Sequence, residues 1–196
     1  MLHPVRLTAA LLLLAATAAP LAAADTSTET TTLAGHVLVV TRTTPEKRLE
    51  MRVTVPAPLG EVWNAFATRE GMQTWLSPEA KVEMRAGGDW LVSYPGAAPG
   101  GGSVLAFVPR EMLSLSAMAP EAYPTVRKER TMATFFFTPK SERETEVRLV
   151  QVGWKEGAEW DRAFDYLSKG NAMLLNGLHQ RFTDGPVNWS ALLQKH

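Results

Sequence analysis

The sequence predicts an α+β fold in which a curved antiparallel sheet of about seven strands wraps onto one long C-terminal helix. Three observations carry this. First, Trp160, Phe164, Leu167, Leu174, Leu178 and Phe182 fall at steps of three and four or their sums, giving one apolar stripe on a helix. Second, a run of short β-patterned segments with tight turns precedes that helix, which is the order of an antiparallel sheet. Third, one strand pattern stands before two short helical segments, free to pair with the end of the run.

Taken in order, residues 1–24 read as a signal peptide. Arg6 supplies a positive charge, Leu7 to Ala19 is apolar, and Ala22-Ala23-Ala24 offers a cleavage site before Asp25. The apolar run is short for a hydrocarbon core of roughly 30 Å. The expectation is export to the periplasm or beyond, with cleavage after Ala24 and no stable membrane anchor afterwards. Residues 25–47 form an N-terminal extension. Its Thr-rich start, Asp25 to Thr32, reads as a disordered lead-in, and His36 to Thr41 as an extra strand.

Residues 48–184 are the expected domain. Leu49, Met51, Val53 and Val55 alternate with Arg48, Glu50, Arg52 and Thr54, the pattern of a half-buried strand. Pro56-Ala57-Pro58 ends it. Val62, Trp63 and Phe66 then mark a short helix, and Met72 to Leu76 a second one, closed by Ser77-Pro78. Strands are expected at Ala80 to Arg85, around Trp90, Val92 and Tyr94, and at Ser103 to Val108, Met112 to Met118, Arg130 to Thr138 and Glu144 to Val152. A Gly/Pro/Ala loop covers Pro95 to Gly102, and a longer loop Ala119 to Val126. The long helix runs from Glu156 to Phe182, and Asp184-Gly185-Pro186 stops it. Residues 185–196 are a tail.

Composition excludes several classes. Apolar residues make up 45% of the chain, enough for a core, and the net charge is zero. No basic stripe suits a nucleic acid. With no cysteine, disulfides, thiol catalysis and cysteine-held metals are excluded. His36, His179 and His196 lack partners at metal-ligand spacing, so neither metal nor cofactor is expected. No Gly-x-Ser-x-Gly elbow occurs, and Gly100-Gly101-Gly102-Ser103 lacks the lysine and helix of a phosphate loop. Asp161 and Asp165 lie off the stripe beside Arg162 and Lys169, as on a solvated helix face.

Thr54-Val55-Pro56-Ala57-Pro58 with Glu61-Val62-Trp63, Gly71-Met72-Gln73-Thr74-Trp75-Leu76, and Arg85-Ala86-Gly87-Gly88-Asp89-Trp90 occur in that order. With Gly153-Trp154, Glu159-Trp160-Asp161 and Phe182 to Trp189, they resemble the START-like (SRPBCC) superfamily. The branch is the one similar to the activator of the heat-shock chaperone ATPase. The resemblance spans Arg48 to Trp189 and implies a helix-grip fold, often with an internal apolar cavity. Ligand carriers, cyclases and co-chaperones share that fold, so it does not choose an activity.

The candidate ligand-binding residues are Trp75, Trp90, Phe107, Phe136, Trp160, Phe164, Leu167 and Asn171. The aromatics come from distant parts of the chain and are placed on the inward face, though the register of Phe107 and Phe136 is open. The competing interpretation is a filled core. Gly170 and Gly177 inside the helix, and polar Asn171 on its apolar stripe, favour a partial cavity. An Asn171 amide satisfied only by water would be replaceable by leucine at little cost. The expected function is binding of a small hydrophobic or amphipathic molecule. An enzyme of the cyclase or isomerase kind is the alternative, for which Tyr94, Glu50 and Asn171 are weak candidates. A chaperone-type interaction module ranks third, since export separates it from a cytosolic partner.

Overall fold

The computed structural model describes residues 28–194, so the signal segment lies outside the described residues. Nine strands form one antiparallel sheet: β1 Glu29–Ala34, β2 Val37–Arg42, β3 Arg48–Val55, β4 Glu79–Val82, β5 Asp89–Ser93, β6 Gly100–Val108, β7 Met112–Ala117, β8 Thr131–Ser141 and β9 Glu144–Val152. Their order across the sheet is β1-β2-β3-β9-β8-β7-β6-β5-β4. The helices are α1 Leu59–Ala67, α2 Arg69–Gln73, α3 Pro124–Glu129, α4 Ala158–Asp184 and α5 Trp189–Leu193. Among the described residues no helix is long and apolar enough to cross a membrane.

Strand β3 pairs with β9, Leu49 opposite Gln151 and Val55 opposite Thr145, so the strand before the helices closes onto the end of the run. The chain then crosses through α1 and α2 to the far edge and meanders back. The alternation in β3 is realised: Leu49, Met51, Val53 and Val55 are buried against the helices. Helix α4 is 27 residues long. Its buried face comprises Trp160, Ala163, Phe164, Ala172, Leu175 and Leu178, with Leu167, Leu174 and Phe182 partly buried beside them. The opposite face is wet, and Asp161 pairs with Lys47 at 2.5 Å.

Several expectations are corrected. Among the described residues there are nine strands rather than about seven. Part of the expected disordered lead-in is strand β1, whose six residues pair in register with β2. The turn of that hairpin is hydrogen-bonded to α4 through Asn176: its amide donates to Ala34 O at 2.7 Å, and its Oδ1 accepts from the His36 N–H at 2.8 Å. A polar lead-in orders here because α4 supplies partners for its turn. The loop at Ala119 to Val126 ends in α3. The Glu159 carboxylate of α4 accepts from Thr125 N and Oγ1 and from Val126 N at 2.7, 2.8 and 3.2 Å, satisfying the free donors of that helix's first turn. The tail contains α5 and is held by the Trp189 indole, which donates to Gln73 O at 2.5 Å.

Candidate functional site

A cavity of about 130 Å³ lies between the middle of α4 and the concave face of the sheet. Leu167, Asn171 and Leu174 of α4 form its roof. Trp90 and Val92 of β5, Leu115 and Ala117 of β7, Ala133 and Phe135 of β8, and Leu149 and Gln151 of β9 form floor and walls, with Leu76, Gly101 and Met118 completing them. Ala133 leaves space in the floor because one small side chain stands between two larger cross-strand partners, Leu115 on β7 and Gln151 on β9.

Of the eight residues named from sequence, Trp90, Leu167 and Asn171 line this cavity. The other five do not. Trp75 is buried on Phe66, ring centroids 5.1 Å apart, and its indole donates to Ala65 O at 2.8 Å. Trp160 and Phe164 pack where α4 begins, Phe164 edge-on to Trp154 at 5.0 Å. Phe107 faces inward opposite Leu113, but lies toward the β6–β7 turn; a bulge between Val104 and Ala106 sets its phase. Phe136 is on the outer face, with the Arg148 guanidinium 4.2 Å over its ring. In a strand the side chains alternate, and burial of Ala133, Phe135 and Phe137 puts Phe136 on the other side. Gly170 and Gly177 do not line the cavity.

Reading the sequence missed Phe135 and Gln151. Three consecutive phenylalanines hid the phase of β8. Gln151 carried a legible signal, a polar residue continuing the inward phase of Val147 and Leu149. It is 2% exposed. The Asn171 Nδ2 donates to Gln151 Oε1 at 2.9 Å, and Gln151 Nε2 donates to Thr131 Oγ1 at 2.7 Å. A hydroxyl both donates and accepts. With both amides turned over the chain is therefore equally satisfied, and the end facing the cavity offers an acceptor or a donor as the occupant requires.

No ionisable side chain stands among the lining residues. Glu50 lies on the outer face, paired with Arg52 at 2.6 Å and Arg48 at 3.4 Å. The Tyr94 hydroxyl donates to Leu76 O, and burial pushes its phenol up from the ordinary value. His179 stacks on His36 at 4.0 Å, and its Nδ1 donates to Thr54 O at 2.9 Å. The chemistry available inside is therefore apolar contact plus one amide pair.

Solved structures share this architecture. The protein MLL2253 of Mesorhizobium loti matches with a TM-score of 0.59 at 19% identity, covering 71% of this chain and 99% of that one. The Aha1 dimer of Colwellia psychrerythraea matches with 0.57 at 17%, covering 70% and 97%. CalU16 of Micromonospora echinospora matches with 0.56 at 20%, covering 84% and 88%. At these identities the likeness is one of fold. No curated protein matches the sequence. The family model for activator of Hsp90 ATPase homolog 1-like proteins matches residues 56–183, from the end of β3 to the last turn of α4. That stretch is more than half of the chain and holds the cavity, so the chain belongs to the activator of Hsp90 ATPase homolog 1-like family, within the helix-grip superfamily.

Proposed function

We propose that the protein binds a small hydrophobic or amphipathic molecule whose apolar part fills the cavity under α4. The observation that carries this is a 130 Å³ space walled by apolar side chains and one satisfied amide pair, with no ionisable group among its lining. Ligand pockets for drug-sized molecules run to roughly 300–1,000 Å³. A dry apolar cavity of about 150 Å³ takes up benzene. The bound portion is thus one aromatic ring or a short alkyl chain. Asn171 meets its polar atom, while Trp90, Phe135 and Leu167 enclose the remainder. A cyclase or isomerase would need a positioned acid or base at the reacting atoms, which this lining does not offer, so binding is favoured over catalysis.

The experiment is thermal melting in benzene-saturated buffer. A ligand that binds only the folded state stabilises it. The wild type is expected to melt about 2–4 °C higher, which at this chain length corresponds to about 1 kcal/mol. Ala133→Leu places a larger side chain in the floor and should abolish the rise, with Ala117→Leu as the independent filling variant if the first folds poorly. An unchanged wild-type melting temperature would refute the reading.

Export belongs to the same proposal. It rests on the Arg6, Leu7–Ala19 and Ala22–Ala24 pattern. The intact mass of protein from a periplasmic extract should begin at Asp25; a mass that retains Met1 removes the compartment from the reading.

A further inference from the structure

A second concavity of about 600 Å³ adjoins the cavity, and Val92, Met118 and Leu167 line both. Its rim is the loop between β5 and β6, the loop between β7 and α3, and Tyr166 of α4. Arg127 of α3 lines it and bridges its two loops. One guanidinium nitrogen donates to Ala119 O at 2.7 Å and the other to Pro99 O at 2.9 Å. A guanidinium has five N–H donors, so donors remain. Among the described residues it donates to carbonyls and to no carboxylate.

We propose that this recess receives a carboxylate borne by the occupant of the cavity, and that Arg127 binds it. The inference rests on the cavity reading and names its ligand class: a small carboxylic acid carrying one aromatic ring or a short alkyl chain. The division of the site requires a bipartite molecule. The inner cavity is apolar and too small for more than a ring, so any charged group on the ligand must lie in the adjoining recess. There the one cation among the lining residues is Arg127. Arg130, near Arg127, is pushed below the ordinary guanidinium value by burial and by the Arg127 charge. Glu121 is the one acid among the residues lining the recess. Arg127 is also held ready. Val126 beside it is fully buried, and the Glu159 carboxylate fastens the start of α3. A fixed planar fork with free donors suits a carboxylate, and charge-assisted bonds of this kind are about twice as strong as neutral ones.

The test uses two probes with the same apolar body, 3-phenylpropanoate and 3-phenylpropan-1-ol, titrated calorimetrically into the wild type, Arg127→Gln and Arg127→Lys at neutral pH. The wild type is expected to prefer the acid about tenfold. Arg127→Gln should bring the two probes within about twofold by weakening the acid alone, and Arg127→Lys should restore part of the preference. Equal affinity of both probes for the wild type overturns the inference and leaves the cavity reading standing. Equal weakening of both probes in Arg127→Gln also overturns it, because the arginine then acts by holding the loops. If neither probe binds the wild type, the cavity reading itself falls and this inference with it.

Discussion

Phe66→Ala is expected to destabilise the fold by about 3–5 kcal/mol. Phe66 is fully buried, and its ring lies 5.1 Å from Trp75, 4.9 Å from Phe135 and 5.1 Å from Phe137, centroid to centroid. Together with Trp63, whose ring lies edge-on to Phe137 at 5.4 Å, it seats α1 on the sheet. Truncation removes the transfer free energy of the ring and leaves a void that three large, differently anchored neighbours cannot close. Trp75 is tied to Ala65 O and Trp90 to Phe66 O, so the indoles hold their places. Urea unfolding should show a lower midpoint with an unchanged slope, the signature of lost stability rather than an altered denatured state. Phe136→Ala, on the outer face, is the internal contrast and should lose much less. A loss below about 1 kcal/mol for Phe66→Ala would mean that the core around α1 repacks freely, contrary to its close-packed aromatic cluster.

The second large effect is at Asn171. Satisfied by water alone, this amide would be exchangeable for leucine at little cost. Its partner is instead Gln151, itself 2% exposed. Asn171→Leu leaves Gln151 Oε1 buried without a donor, and stability should fall by about 1–3 kcal/mol. Adding Gln151→Leu removes the stranded acceptor, so the double variant should be less destabilised than the two single losses summed. Thermal and urea unfolding of the two single variants and the double variant measure this. A single variant within about 0.5 kcal/mol of the wild type would show that cavity water satisfies Gln151 as well as Asn171 does.

The stripe on α4, the alternation in β3 and the order of elements were legible because each is a local periodicity, and a long helix with one apolar face needs an equally long apolar surface. What local pattern could not supply was phase where the pattern is degenerate. Phe135, Phe136 and Phe137 are equivalent as sequence; pairing with β7 and β9 decides that the first and third face inward. In β6 a bulge resets the alternation, so Phe107 faces the core but lies away from the cavity. The lead-in of threonines has no apolar face and reads as disordered, yet Asn176 on a distant helix satisfies its turn.

The sequence by itself determined the fold class, the pairing of β3 with the end of the meander, and Asn171 as a polar residue on a buried face. These follow from side-chain periodicity and from the cost of burying an unpaired polar group, both of which act over a few residues. Only the tertiary structure decided that the partner of Asn171 is Gln151, that the open volume lies over Ala117 and Ala133, and that Arg127 lines the recess beside it. A void is a property of side chains from five or six segments meeting at once, and close packing couples them across the whole chain. No stretch of sequence carries that information alone.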